Sequence, residues 1–439
     1  MISNYRSVCV TCVSVLFYLL CPSLSFAQAP AVINGADTSW LLTSTALVLF
    51  MTLPGLALFY AGLVRSKNVL SIIIQCFAIT SVASIVWLAC GYSLAFGDGG
   101  ANQAWMGGFS KSWLSGVTSS SVSSFAPVPE YLYFMFQLTF AAITPALVIG
   151  GFAERMKFSA VLLFTAAWLV LVYAPVAHWV WGGGWLQKLG VMDFAGGIVV
   201  HITAGVSAIL CAVILGSRRG FPHVSMPPHS LPLTAAGAGM LWVGWFGFNG
   251  GSALAANSSA AAAVLATHLG ASAGALGWMV IEWFRYGKPS VLGILTGMVA
   301  GLGTITAASG YVSPLSAVLI GSSAGVVCYF ATQLFKQVWR IDDSLDVSPV
   351  HGVGGVLGTI LTGIFASPML GGSGFSVATD IGPQLGLQLL GVLAVAAWCA
   401  AITWVLLKVI GATVGLRVSG EHESEGLDLS SHGERGYIE

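Results

Sequence analysis

The chain has 439 residues, of which 56% are hydrophobic and 7% are charged, and its formal net charge at pH 7 is zero. Soluble domains carry about 25% charged residues, so this composition excludes a soluble globular protein and predicts a polytopic membrane protein. The 55 glycines indicate close helix–helix approach, as small residues do in membranes. No nucleic-acid partner is expected.

Residues 1–27 are predicted to form a secretory signal peptide. Arg6 supplies a positive charge, residues 8–20 form an apolar stretch, and small residues at 25–29 offer cleavage sites. An additional N-terminal membrane helix is the alternative, although Pro22 interrupts the apolar run. A cleaved signal places the mature N-terminus outside and suits the inner membrane of a Gram-negative cell.

Apolar segments of about the length that crosses a bilayer follow the signal peptide. Eleven are predicted, near 40–64, 69–96, 129–152, 158–180, 193–216, 232–250, 256–284, 289–308, 312–336, 346–367 and 383–412. They divide the chain into a first half at 28–216, a loop at 217–231, a second half at 232–367, a final span at 383–412 and a tail at 413–439.

The Lys and Arg residues of the loops favour one orientation. With the N-terminus outside, thirteen of them lie on the inner side, and only Lys111 and Lys188 lie on the outer side. The reverse orientation would invert this ratio. We therefore expect the N-terminus outside and the C-terminus inside, with the loop at 217–231 and the tail in the cytoplasm.

Two copies of one spacing, Asp193-x₇-His201 and Asp343-x₇-His351, stand at the start of spans 5 and 10. Each His follows its Asp by about two helical turns, or about 12 Å. An ionisable residue in hydrocarbon is costly and indicates a functional site. The matched copies predict two inverted five-helix repeats, spans 1–5 and 6–10. Each Asp also precedes a helix start, where N-capping is an equally good interpretation.

The two histidines are interpreted as pore-lining, proton-relaying or metal-binding groups, with a buried structural role as the alternative. Neither has a Cys or a carboxylate three or four residues further along, so a metal site is not favoured. His268 also lies inside a span, but it has no preceding Asp and no counterpart in the other half. We interpret His268 as a structural or interface residue.

Aromatic residues occur in the outer half of span 3, at the outer end of span 4 and in span 6. They are Phe136, Phe140, Trp179, Trp181, Trp242, Trp245, Phe246 and Phe248, with Gln137 and Ser252 nearby. Tryptophans at span ends most often anchor a protein at the membrane interface. The alternative is a cation–π site for a small cation.

The segment 193–201, DFAGGIVVH, resembles the signature of the ammonium transporter (Amt/Mep/Rh) family. Similar runs occur at 54–60 (PGLALFY), 245–249 (WFGFN), 346–353 (DVSPVHGV) and 426–434 (GLDLSSHGE). The resemblance covers almost the whole mature chain in order, and it is closest to the bacterial Amt branch.

The resemblance implies an all-α fold of eleven helices per subunit, one pore per subunit and a homotrimer in the lipid bilayer. It implies an outer ammonium site at Trp181, Phe140 and Ser252, with Phe136 beside it. In this family pattern Asp193 is the carboxylate that supports recruitment and the architecture of that site.

The same resemblance implies how the pore is built. Phe140 and Phe248 match the stacked pair that closes the outer pore. His201 and His351 match the twin histidines of the apolar lumen, and Trp245 matches a further lumen-lining residue. Asp343 is assigned no further role and is the counterpart of Asp193 in the second repeat.

The implied function is ammonium uptake, with methylammonium as an analogue: the substrate loses a proton and crosses as ammonia, with or without a separately routed proton. The tail after Arg417 resembles the tail of the family, and this resemblance implies coupling between subunits and binding of a PII signalling protein at the cytoplasmic face. The insertion at 222–229, in the loop expected to contact PII, departs from the family pattern. An ammonium sensor and a neutral-gas channel of the Rh type are the alternatives. No cofactor and no enzymatic activity are predicted, and no HExxH motif is present.

Overall fold

A computed structural model describes residues 32–437 of the chain. Within this range the regular secondary structure is helical, and the strand-like pairings are two isolated bridges, Val122 with Pro129 and Met156 with Arg417. The predicted signal peptide at 1–27 lies outside the described residues. The all-α fold class is confirmed for the part of the chain that the structure describes.

Apolar helices account for most of the described residues, and each predicted segment overlaps one of them. They are α1 (Gly35–Leu63), α2 (Ser66–Phe96), α3 (Glu130–Phe152), α4 (Phe158–Leu189), α5 (Gly197–Leu215), α6 (Leu231–Gly251), α7 (Ser258–Tyr286), α8 (Val291–Ile305), α9 (Pro314–Val338), α10 (Ser348–Phe365) and α11 (Ile381–Thr413). Ten are long and apolar enough to cross a membrane, and α8 is shorter at 15 residues. Two short helices, α12 (Gly420–Glu425) and α13 (Leu427–His432), lie in the tail.

Side-chain caps set helix starts that hydropathy locates only approximately. Ser290 Oγ accepts a hydrogen bond from the Gly293 N–H at 2.8 Å, where α8 begins. Asn257 Oδ1 accepts one from the Ala260 N–H at 3.1 Å, where α7 begins. Such caps satisfy N–H groups that have no partner within their own helix. They explain why these two helices begin two residues later than predicted.

The two helices that carry the Asp–His sequences, α5 and α10, pack directly against each other. Their backbones approach closely at Gly205 and Gly352, where a Cβ added to Gly205 would lie 2.2 Å from the Gly352 Cα. Only glycine permits this approach, which is typical of membrane helix pairs. Helix α11 packs against both α5 and α10.

A buried ion network joins four loops on the side predicted to face the cytoplasm. Arg218, after α5, donates to the Asp342 carboxylate, after α9, at 2.8 and 2.9 Å. Arg218 Nη1 also lies 3.3 Å from Glu154 Oε2, after α3. Arg65, after α1, donates to the same Glu154 carboxylate through its backbone N–H and its Nε, each at 2.7 Å. Each of these charges has an opposite partner, as buried charges require.

The tail packs against the same side of the protein. Asp428 Oδ1 accepts a hydrogen bond from the Ser71 N–H at 2.7 Å, near the start of α2. Glu423 accepts one from the Arg219 N–H at 2.7 Å and pairs with Arg417 at 2.8 Å. The tail is therefore held to α2 and to the loop after α5.

Candidate functional site

The two predicted histidines lie side by side in the interior of the protein. His201 in α5 and His351 in α10 are both buried, and their Nδ1 atoms lie 3.1 Å apart. The rings are nearly parallel, with an interplanar angle of 21° and centroids 5.1 Å apart. His201 Nε2 has no hydrogen-bond partner among the described residues, so this buried nitrogen is available to a small polar molecule.

Asp193 caps the first turn of α5. Its two carboxylate oxygens accept hydrogen bonds from the N–H groups of residues 196–199, at distances between 2.7 and 3.1 Å. Gly196 has a φ of 118°, in the left-handed region that favours glycine. The N-capping interpretation therefore holds for Asp193, and the cap fixes the start of the helix that carries His201.

Asp343 caps its helix less completely. One of its oxygens accepts a hydrogen bond from the Ser348 N–H at 2.6 Å, and the other has no partner among the described residues. The two Asp–His sequences are thus alike in spacing and different in hydrogen bonding. The difference is confined to the two carboxylates, because His201 and His351 are in contact with each other.

A cavity of about 470 Å³ opens on the side of α5 where Asp193 lies. All five residues predicted to bind the substrate line it: Phe136, Phe140, Trp181, Asp193 and Ser252. Trp181 Nε1 donates a hydrogen bond to the Asp193 carbonyl oxygen at 2.9 Å, which holds the indole against the cavity. The Ser252 hydroxyl donates to the Phe248 carbonyl oxygen at 2.8 Å, so its oxygen can accept from a bound cation.

Two phenylalanines separate this cavity from the histidines, and we call it the outer cavity because the predicted orientation places it on the outer side. Phe140 and Phe248 have ring centroids 4.3 Å apart and an interplanar angle of 40°. The centroid of the Phe248 ring lies 6.2 Å from that of the His201 ring, and the centroid of the Trp245 ring lies 5.6 Å from it. Both rings are nearly parallel to the imidazole. The predicted pore residues therefore form one continuous aromatic and imidazole stack.

A second, smaller cavity of about 130 Å³ lies on the opposite side of the histidines. His351 lines it, together with Tyr60, Leu63, Val299 and Asp346. The histidine pair thus lies between the first cavity and this second one.

Residues that the sequence interpretation did not single out also shape the site. Thr306 Oγ1 accepts a hydrogen bond from Trp245 Nε1 at 2.8 Å and fixes the indole beside His201. Tyr133 and Tyr311 line the outer cavity. A threonine or tyrosine near the end of an apolar segment has no distinctive spacing, so nothing in the sequence alone marks these three residues.

His268 lies apart from the histidine pair. It is exposed on the described chain, and its ring packs beside Trp242 and Phe246, with centroids 5.3 and 6.2 Å away. His268 therefore provides a comparison residue of the same type outside the central stack.

Comparison with known proteins identifies the family. A family model described as Ammonium Transporter Family matches residues 39–437. The chain belongs to the ammonium transporter family. The ammonium transporter of Aquifex aeolicus is 48% identical over 418 residues, which cover 94% of this chain and 96% of that protein. The ammonium transporter Amt1 of Archaeoglobus fulgidus is 45% identical over 411 residues, which cover 92% of this chain and 100% of that protein.

Solved structures with a similar architecture cover most of this chain. Mep2 of Saccharomyces cerevisiae superposes with a TM-score of 0.82 at 37% identity, covering 89% of this chain and 88% of that one. A structure described as a sensor Amt protein superposes with a TM-score of 0.83 at 29% identity, covering 90% of this chain and 98% of that one. The family resemblance predicted from the motifs is confirmed. The prediction of a transporter rather than an enzyme is confirmed as well, because the matched family and relatives are ammonium transporters.

Proposed function

We propose that this ammonium transporter takes ammonium from the outer side, removes its proton before the Phe140–Phe248 pair and conducts ammonia past His201 and His351 into the cytoplasm. The observation that carries this proposal is the buried histidine pair between two cavities. A small neutral molecule that both donates and accepts hydrogen bonds suits such a lumen.

The outer cavity recruits the cation in this proposal. An ammonium ion over the faces of Trp181 and Phe140 gains about 0.5–2 kcal/mol per favourable contact. The Ser252 oxygen replaces one hydrogen bond to water, and Phe136 completes the aromatic wall. The Asp193 carboxylate adds negative potential without contacting the ion, because its oxygens already accept backbone N–H groups.

Deprotonation explains both passage and selectivity. A bare monovalent cation costs many kcal/mol in an apolar lumen without partners, and loss of the proton removes most of that cost. Potassium has no proton to lose, so the apolar segment between the cavities rejects it. The proton moves through the histidine pair or returns to the outer side, and these two routes differ in the net charge transported.

The proposal extends to topology and assembly. It includes an N-out, C-in subunit with inverted repeats α1–α5 and α6–α10, a homotrimer in the inner membrane, and removal of the signal peptide at 1–27. The distribution of Lys and Arg supports the orientation, and the paired Asp–His sequences support the repeat. A PII signalling protein is proposed to bind the cytoplasmic face, which the tail and the loop at 217–231 form together.

The test is a current measurement on the purified full chain in liposomes. Jumps of ammonium, methylammonium and potassium are applied to the same vesicles, and internal pH is recorded in parallel. Current for ammonium and methylammonium without current for potassium is the expected result. A potassium current of similar size would overturn the proposed selectivity, and a rise in internal pH without current would establish neutral ammonia passage instead.

A sensor role is the second candidate, because one of the similar structures is described as a sensor Amt protein. The tail contacts at Ser71 and Arg219 offer a surface through which a bound substrate could act on a partner. Folded protein that gives neither current nor a pH change in the same liposomes would favour this candidate over transport.

A further inference from the structure

Two glutamines of α11, Gln384 and Gln388, are fully buried in a helix that is otherwise mostly apolar. Gln388 Oε1 accepts a hydrogen bond from the Met192 N–H at 2.8 Å. Gln388 Nε2 donates to the Met192 carbonyl oxygen at 2.7 Å and to the Thr359 carbonyl oxygen at 3.0 Å. One side chain thus binds both polar backbone groups of Met192, in the way that a neighbouring β-strand would.

Met192 is the residue immediately before Asp193, and it also lines the outer cavity. The Asp193 carbonyl oxygen accepts the hydrogen bond from Trp181 Nε1, while the Asp193 carboxylate holds the first turn of α5. The backbone at 192–193 is therefore held by Gln388 on one side and supports Trp181 on the other. Gln388 itself does not line the cavity.

A buried amide in a membrane helix is costly unless its hydrogen bonds are made. The four hydrogen bonds of Gln388 meet this requirement, since Gln384 Nε2 also donates to Gln388 Oε1 at 3.0 Å. Their geometry is directional, so a side chain of similar volume without an amide could fill the space but could not hold Met192 in register.

We propose that Gln388 is a positioning residue for the outer ammonium site: it fixes Met192, and through Met192 it fixes Asp193 and the indole of Trp181. This inference rests on the proposed function, because it takes the outer cavity to be the recruitment site. Loss of the amide is expected to move the cavity wall first, because the close packing of α5 against α10 at Gly205 and Gly352 does not involve Gln388. The effect therefore falls on the concentration dependence of transport more than on its maximal rate.

The experiment measures methylammonium current against concentration for the full chain in liposomes. Gln388→Leu is expected to raise the half-saturation concentration at least fivefold and to change the maximal current less than twofold. Gln384→Leu is the matched control, because it removes a buried amide one turn away that donates to the Gly190 carbonyl oxygen at 3.1 Å and to Gln388 Oε1 at 3.0 Å but has no direct bond to Met192. It is expected to shift the half-saturation concentration less than twofold.

An unchanged half-saturation concentration in Gln388→Leu would overturn the inference, and so would an equal shift in Gln384→Leu. If Gln388→Leu does not reach the membrane, Gln388→Asn replaces it, since the shorter amide cannot reach Met192, and the same expectations apply. Trp181→Leu is measured alongside. No shift in Trp181→Leu would refute the outer site itself, whereas a shift there without one in the Gln388 variants would refute only the positioning role.

Discussion

At the scale of single residues, the Nδ1–Nδ1 contact between His201 and His351 requires one ring to donate and the other to accept. When both imidazoles are neutral, the donor ring presents a bare Nε2 and the acceptor ring presents an Nε2–H. The pair therefore offers an acceptor at one end and a donor at the other. Ammonia can hydrogen-bond at either end, whereas an alkali cation can be coordinated only by the bare nitrogen.

Replacing one of these rings is the most direct residue-level test. His201→Ala removes one member of the pair and opens a space beside Trp245 and Phe248, which water can enter. We expect methylammonium current to fall at least tenfold, or potassium current to appear, because the lumen is no longer both narrow and apolar. Liposome currents for the two cations distinguish these results.

His268→Ala is the matched control for that experiment, because it removes the same side chain from a position beside Trp242 and Phe246, away from the central stack. Its currents should match those of the unsubstituted protein within about twofold. If His201→Ala kept its methylammonium current and still excluded potassium, the histidine pair would not be part of the conduction path.

At the scale of helices, the position of the pair depends on how closely α5 approaches α10. Gly205 lies one turn beyond His201, and Gly352 follows His351 directly. The added Cβ of Gly205→Ala would lie 2.2 Å from the Gly352 Cα, so the helices must separate to accept it. Separation lengthens the Nδ1–Nδ1 contact of 3.1 Å and widens the lumen.

We therefore expect Gly205→Ala to lower the yield of folded protein in the membrane and to reduce ammonium current at least fivefold in the protein that remains. Gly239→Ala in α6 is the control, because nothing lies within 4 Å of a Cβ built there. The measurements are the yield of stable protein after purification and the liposome current. Equal behaviour of the two variants would contradict the close-approach explanation.

The helices also show what could be predicted before the structure was known. Long apolar segments predict spans well, since a bilayer demands their length. The Asp–His spacing predicts two intramembrane histidines, but their contact joins residues 150 positions apart and depends on backbone packing at Gly205, which no local pattern specifies. The contact of Gln388 with Met192 is not predictable from the sequence for a different reason. An amide within an apolar helix is a polar signal, but nothing near Met192 indicates that its backbone is the partner.

At the scale of the whole molecule, the buried network of Arg65, Glu154, Arg218 and Asp342 ties together loops from both halves of the chain. Burial alone would raise the pKa of the Glu154 carboxyl, but the guanidinium groups of Arg218 and Arg65 outweigh burial and hold this pKa below its usual value. The pKa of Asp342 is likewise lowered, because hydrogen bonds and charge from Arg218 outweigh its burial.

These shifts determine the sign of a pH dependence. A carboxyl whose pKa is lower in the folded protein contributes stability that is fully present above its unfolded pKa, about 4, and that is lost as pH falls through the lowered value. We expect the Tm of the protein in detergent to be nearly constant from neutral pH to about pH 5 and to fall below about pH 4. Thermal melts across this range provide the measurement.

Glu154→Gln should lower the Tm at neutral pH and weaken its dependence on acid, because one titrating carboxyl is gone. The substitution leaves Arg218, which is 8% exposed, and Arg65 without one of their negative partners, and breaking a buried pair costs roughly 3–5 kcal/mol. Glu421→Gln, in the exposed part of the tail, is the control and should leave the Tm and its pH profile unchanged. A Glu154→Gln protein with the Tm of the control would show that the halves are held together by helix packing alone, with the ion network contributing nothing that acid could remove.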